Sequence, residues 1–210
     1  MIAKITKNIS GVKYHTAAHP EIKKILKEGR LPIEFGNKVW ATTLVVLNKI
    51  NKEENSFKNL RVLEIGCGWG LLGIFLAKKY ACKVTASDFN EKVIPLVKIQ
   101  AKVNNVDIET KVASFSELTV EYLKDFDLVI GSEICYSEEV AKDLTKLIEK
   151  AMTAGVKKLI LADPGRPDFK ELMQNSIKSY KTVIEELPGS VNGKKTYLLS
   201  IEQNKQQITK

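Results

Sequence analysis

The apolar positions fall into short buried runs that alternate with helical stripes. Arg61 to Ile65, Lys83 to Asp88, Ile108 to Ser114, Asp127 to Glu133 and Lys157 to Asp163 are each brief and strand-like, and Arg61 to Ile65 is β-branched and apolar. That is the composition of strands covered on both faces. Between them the spacing predicts helices over Leu71 to Lys79, over Asn90 to Asn104 with Pro95 in the opening turns, and from Ser137 to Gly155. In the last of these Ser137 is the N-cap, Glu138 and Glu139 stand in the first turn, and Val140, Leu144, Leu147, Ile148 and Ala151 make the buried stripe. A further helix runs from Pro167 to about Tyr180. Thr182 to Leu187 and Thr196 to Ile201 then flank the turn Pro188 to Gly193 as a closing antiparallel hairpin.

Upstream of the first strand the pattern is helical. Pro20 to Glu28 reads as a short amphipathic helix closed by Gly29, and Leu31 to Gly36 as a connecting turn. Asn37 to Asn51 carries Val39, Trp40, Thr43, Leu44, Leu47 and Ile50 at helical spacing, followed by a polar loop from Lys52 to Asn59. Residues 1–19 show little pattern. His15 and His19 lie four apart, but no acidic third ligand stands nearby and Pro20 opens a new helix, so they read as polar residues of an N-terminal arm.

Alternating strand and helix with a final hairpin predicts an α/β fold, a doubly wound, Rossmann-like, seven-stranded and mostly parallel sheet. Residues 1–210 are expected to form one domain, with 1–55 as a helical extension and 56–203 as the core. In such sheets ligands sit beyond the carboxyl ends of the strands, where strand order reverses. Gly66 to Gly70, Asp88, Ser114, Glu133 and Asp163 all fall at such ends.

Charge and cysteine usage narrow the picture only a little. The net charge of +8 invites a nucleic-acid reading, yet Arg30, Arg61 and Arg166 are the only arginines and the lysines are spread along every helix. Solvated helix faces account for that spread better. No stretch approaches the ~20 apolar residues of a membrane span, and Met1 to Gly11 has no signal-peptide core. Cys67, Cys82 and Cys135 are scattered, odd in number and lack metal-ligand spacing, which reads as reduced thiols in a cytoplasmic protein.

The candidate chemistry lies at Gly66-Cys67-Gly68-Trp69-Gly70, a glycine-rich bend from strand to helix that lets a nucleotide cofactor approach bare backbone. Gly68-x-Gly70-x-x-Gly73 satisfies the dinucleotide pattern, so NAD is one reading. Glu64, two residues before the first glycine, sets a carboxylate where a pyrophosphate would sit. It suits S-adenosylmethionine, which carries an ammonium and a sulfonium; the alternative is that Glu64 caps neighbouring N–H groups. Asp88 lies 22 residues beyond Gly66, at the distance where a carboxylate takes both ribose hydroxyls, or else it forms the turn before Asn90. Ser114-Phe115 is placed to hydrogen-bond and stack an adenine. Trp40 is either core or a wall of the cofactor pocket.

With these motifs in view, Val62 to Gly73, Ser87-Asp88-Phe89-Asn90 and the run before Tyr136 resemble the seven-β-strand, class I SAM-dependent methyltransferases, over roughly residues 34–170. Within them the chain most resembles the protein-lysine methyltransferase branch, in the Trp of Val39-Trp40 and the acid-x-x-Tyr motif Glu133-Ile134-Cys135-Tyr136. The usual acid of that motif is Asp, so Glu133 is a departure. Asp163-Pro164-Gly165-Arg166 is similar to a segment of the lysine methyltransferases of the electron-transfer flavoprotein β subunit. The resemblance implies S-adenosylmethionine held by Trp40, Glu64, Gly66, Cys67, Gly68, Asp88, Phe89, Ser114, Phe115 and Ser132. It implies a lysine amine of a protein partner held by Glu133 and Tyr136. A monomer is expected, and nothing in the sequence points to a metal, since the acids near the site are few and no His joins them. The bland alternative has Tyr136 packing on the helix from Ser137 and Glu133 capping that helix. Methylation of a small molecule on the same fold is the competing function, and an open or lidded cleft rim discriminates the two. A third reading is an NAD-linked oxidoreductase or a nucleotide-binding module without chemistry, but the chain has no Tyr-x-x-x-Lys dyad, and the Asp/Asn-Pro-Pro-aromatic motif of DNA adenine methylation is absent too.

Overall fold

A computed structural model describes residues 5–29, 38–53, 56–188 and 195–202. The chain opens with β1 (Thr6–Ile9), β2 (Val12–His15), α1 (Pro20–Gly29) and α2 (Ala41–Ile50). The core follows as β3 (Arg61–Ile65), α3 (Leu71–Tyr80), β4 (Lys83–Asp88), α4 (Ile94–Asn104), β5 (Glu109–Val112), α5 (Val120–Leu123), β6 (Leu128–Ser132), α6 (Glu138–Ala154), β7 (Lys158–Asp163) and α7 (Pro167–Ser179). It closes with β8 (Lys181–Leu187) and β9 (Thr196–Glu202). The expected turn at 31–36, most of the hairpin turn at 188–193 and the tail from Gln203 lie outside the described residues.

The seven strands of the core make one sheet in the order β5-β4-β3-β6-β7-β9-β8. The first five are parallel, and β9 runs antiparallel between β7 and β8, with Asp163 opposite Tyr197 and Leu187 opposite Thr196. Strand order reverses at β3 and β6, which places the switch point beside the glycine bend. Period-two alternation sorts each buried strand between two helical layers. Leu63 and Ile65 pack with Leu144 and Leu147 of α6 and with Phe169 and Leu172 of α7. Val62 packs instead with Val46 and Leu47 of α2 and with Leu72 and Phe75 of α3. Glu64 shares the Val62 face, so its carboxylate emerges beneath the start of α3.

The N-terminal segment corrects the expectation of a patternless arm. β1 and β2 form a two-stranded antiparallel hairpin whose loop residues Ser10 and Gly11 both have positive φ, 49° and 86°. Two such residues make the tight turn that matches strand twist, and Ser-Gly was the signal for it. Four-residue strands are too short for their alternation to stand out. The outward edge of β2 is closed by two carboxamides one turn apart on α4. Asn104 accepts from Lys13 N–H at 3.0 Å and donates to its carbonyl at 2.7 Å, and Gln100 does the same for His15 at 2.9 Å each way. The His15 and His19 rings stack with centroids 3.7 Å apart, and His15 Nδ1 is 2.8 Å from Thr6 Oγ1.

Boundaries shift elsewhere for local reasons. α2 starts at Ala41 rather than Asn37, with Trp40 as its extended N-cap residue. The third core strand shrinks to Glu109–Val112, and a single 3-10 turn at Glu91–Val93 precedes α4. Ser137 caps α6 as expected, accepting from Val140 N–H, and Gly155 ends it in the left-handed region. Among the described residues no helix is long and apolar enough to cross a membrane, and no group of three or more His, Cys, Asp or Glu side chains is placed to hold a metal ion.

Candidate active site

A cleft of about 130 Å³, partly open to solvent, lies over the carboxyl ends of β3, β4 and β6. One end is built from the glycine bend. Gly68 has φ +51° and a side chain there would point into open space, so its backbone faces the cleft uncovered. Gly73 is required for a different reason: a Cβ would come within 2.7 Å of both Glu64 Oε2 and Val84 Cγ1. That close approach lets Glu64 accept from the Gly73 N–H at 2.9 Å. The carboxylate therefore takes the capping role that was its alternative reading, while still lining the cleft. Burial raises the Glu64 pKa to about 8, against the pull of the Leu72 and Gly73 amides.

Asp88 completes this end. Its Oδ2 accepts from Gly68 N–H at 3.0 Å and its Oδ1 from Asn90 N–H at 2.9 Å. Burial pushes its pKa up, and the three backbone donors around it oppose that shift. The turn role and the cleft-lining role of Asp88 thus coexist, since each carboxylate oxygen has a lone pair beyond the one its amide uses. Two buried carboxylates beside uncovered backbone suit a guest that brings positive charge and hydroxyl donors. They do not suit a pyrophosphate.

The other end is assembled from three distant segments. Glu133 follows β6 with φ +57°, a left-handed conformation that costs a non-glycine residue roughly 1–3 kcal/mol. Its N–H donates to Ala162 O at 2.7 Å. The side chain is 6% exposed. Oε1 accepts from Thr42 N–H at 2.9 Å, in the first turn of α2, and Oε2 lies 3.5 Å from Arg166 Nη2. Glu133 thus caps α2 across 91 residues, and not α6 as the bland alternative had it. Arg166 is held in turn by Asp163, Nη1 to Oδ2 at 2.6 Å. Thr43 Oγ1 reaches Ser132 Oγ at 3.3 Å beside them. Tyr136, 40% exposed, stands at the mouth, and Lys38 Nζ lies 4.1 Å from the centroid of the Trp40 ring.

Of the residues singled out in the sequence, Trp40, Glu64, Gly66, Cys67, Gly68, Asp88, Phe89, Phe115, Ser132, Glu133 and Tyr136 all line this cleft. Trp40 is therefore a wall residue rather than core. Ser114 is the exception. Its N–H and hydroxyl both go to Glu117 Oε2 at 2.7 Å, which closes a local turn away from the lining. Sequence reasoning missed Lys38, Thr43 and Arg166 as cleft residues; only the Asp163-to-Arg166 run carried any signal. Burial pushes the Cys135 thiol up to about 12 and raises Cys67 as well, so neither supplies a thiolate near neutral pH.

The fold is that of class I SAM-dependent methyltransferases, several of which have been solved with S-adenosyl-L-homocysteine bound. A family model described as lysine methyltransferase matches residues 20–181, and the chain belongs to that family. The structure is similar to a tRNA (uracil-54, C5)-methyltransferase of Pyrococcus abyssi in complex with S-adenosyl-L-homocysteine, with TM-score 0.60, 20% identity, and coverage of 94% of this chain and 43% of that one. It is also similar to the ribosomal protein L11 methylase of Lactobacillus delbrueckii, at TM-score 0.58 and 19% identity over 83% of this chain and 89% of that one. In sequence it is 26% identical to the calmodulin-lysine N-methyltransferase of Arabidopsis thaliana, over 66% of this chain and 48% of that protein. It is 32% identical to the histidine protein methyltransferase 1 homolog of Bos taurus, over 49% of this chain and 27% of that protein. The chain thus spans half or less of the length of these curated relatives.

Proposed function

We propose that the chain transfers a methyl group to the side-chain amine of a lysine in a protein substrate. The observation that carries this reading is the union, in one cleft, of a carboxylate-lined backbone cradle with an acid–aromatic end at an open rim. In this reading Gly66, Cys67 and Gly68 pass along the cofactor, Asp88 takes its ribose hydroxyls, and Glu64 faces its cationic end. Phe89 and Phe115 flank the base and Ser132 and Trp40 close the wall. When bound, S-adenosylmethionine supplies a methyl group already activated by its sulfonium. What remains for the protein is to align a neutral nucleophile and exclude water.

A lysine amine has a reference pKa of about 10.4, so only about 1 in 1,000 is neutral near pH 7.4. Burial beside the positive charge of the cofactor's sulfonium lowers that value. Glu133 is held by Thr42 and Arg166, one partner on each oxygen. This arrangement supports a fixed acceptor that orients the amine through its N–H groups, with Tyr136 beside it, rather than a base free to swing and carry protons away. Among the described residues none of 5–29 lines the cleft, and Phe89 and Tyr136 are 59% and 40% exposed at its edge. A rim that the described residues leave uncovered favours a macromolecular acceptor over a small one.

The test is to incubate the protein with methyl-labelled S-adenosylmethionine and a cell lysate, then hydrolyse the labelled proteins. Methyllysine is the expected product. Label confined to low-molecular-weight compounds, or methylhistidine alone, overturns the lysine reading.

A further inference from the structure

The cleft already holds an amine of its own. Lys38 lines it, and its ammonium lies 4.1 Å above the Trp40 ring two residues along the chain. Among the described residues Lys38 is the lysine that lines the cleft. Trp40 belongs to the acceptor end: it is the N-cap residue of α2, whose next turn donates Thr42 N–H to Glu133 and Thr43 hydroxyl to Ser132. Those two hydrogen bonds pin the start of α2, and with it the Lys38–Trp40 segment, to the end of β6. An indole face attracts ammonium groups, and still does so after they are methylated.

From this placement we infer that Lys38 is a self-methylation site of the chain, an acceptor delivered to the cleft by its own backbone. The inference rests on the lysine reading above. In the step, the neutral Nζ of Lys38 gives its lone pair to the methyl carbon of the sulfonium, and the carbon–sulfur bond breaks with its electron pair left on sulfur. The N-methylammonium that forms sheds one proton to solvent, leaving N-methyllysine and S-adenosylhomocysteine. Tethering replaces a bimolecular encounter with a unimolecular one, so the reaction needs no partner protein.

The purified full chain, incubated with methyl-labelled S-adenosylmethionine and no other acceptor, should gain one methyl increment or more in the peptide containing Lys38. The rate per chain should stay constant as protein concentration is varied, and Lys38→Arg, which keeps a cation near the ring but removes the nucleophile, should lose this label. An independent readout needs no turnover: S-adenosylhomocysteine should slow acetylation of Lys38 by an amine-reactive ester and leave the outlying Lys24 unaffected. Label on another residue, a rate that rises with protein concentration, or equal acetylation of Lys38 with and without the ligand overturns the inference. If lysate proteins acquire methyllysine while Lys38 stays unlabelled, self-methylation fails and the lysine reading stands. If no lysine is labelled in either setting, both fall together.

Discussion

The two ends of the cleft are built by opposite strategies. At the glycine-bend end the carboxylate hydrogen bonds are short in sequence: Gly73 to Glu64 spans nine residues and Gly68 to Asp88 spans twenty. One strand–helix–strand unit contains them all, and the geometry follows from where that unit must bend. At the acceptor end Glu133 joins Thr42 from 91 residues away and Arg166 from 33. No local unit can form it. The first end is a property of a motif, and the second is a property of how layers of the fold meet.

The largest test of this contrast is Asp88→Ala. It removes a partner of Gly68 and the expected ribose acceptor together, and should weaken S-adenosylmethionine binding by about 1–3 kcal/mol in calorimetric titration. Unchanged affinity would take Asp88 out of the site. At the other end, Glu133→Gln keeps an oxygen for the Thr42 N–H but loses the charge facing Arg166. Transfer should slow by about 1–2 kcal/mol of activation energy while cofactor affinity holds. A matching fall in affinity would mean that the two ends are not separable. Tyr136→Phe should act in the same sense and more weakly, about 0.5–1.5 kcal/mol on turnover alone; equal losses in binding and turnover would assign the ring a packing role.

The smallest effect at neutral pH concerns Glu64. Its pKa in the folded chain, about 8, lies above the ordinary 4.5. The fold therefore favours the protonated carboxyl. That contribution to stability is complete below about pH 4.5 and is lost as pH rises through about 8. Thermal melts of the ligand-free chain should decline across this window, and the decline should flatten in Glu64→Gln. S-adenosylhomocysteine, which carries an ammonium, should restore the melting temperature at the upper end for the native carboxylate more than for the glutamine. Parallel pH profiles for the two proteins would show that Glu64 does not titrate there.

Much of the core was legible because buried parallel strands announce themselves as uninterrupted apolar runs. The glycine bend was legible because Gly68 takes a left-handed φ of +51° that glycine adopts most readily, and because a side chain at Gly73 would strike Glu64 and Val84. The N-terminal hairpin was not, since its strands are short and its outer edge is satisfied by Asn104 and Gln100, residues that look like ordinary polar positions on a helix. Ser114 was ambiguous for a related reason: a serine at a strand end can serve a ligand or its own turn, and here its hydroxyl bonds Glu117 three residues on.

The order of hydrophobic runs, the punctuating glycines and the spacing of Glu64 and Asp88 determined by themselves that this chain is a doubly wound α/β protein with a cofactor bend, because each is set by interactions within a few turns of chain. Tertiary structure alone decided that β9 slots between β7 and β8, that Arg166 meets Glu133, and that the entry to α2 brings Lys38 and Trp40 into the cleft. Those outcomes depend on which edges and layers are left to be covered once the rest has packed.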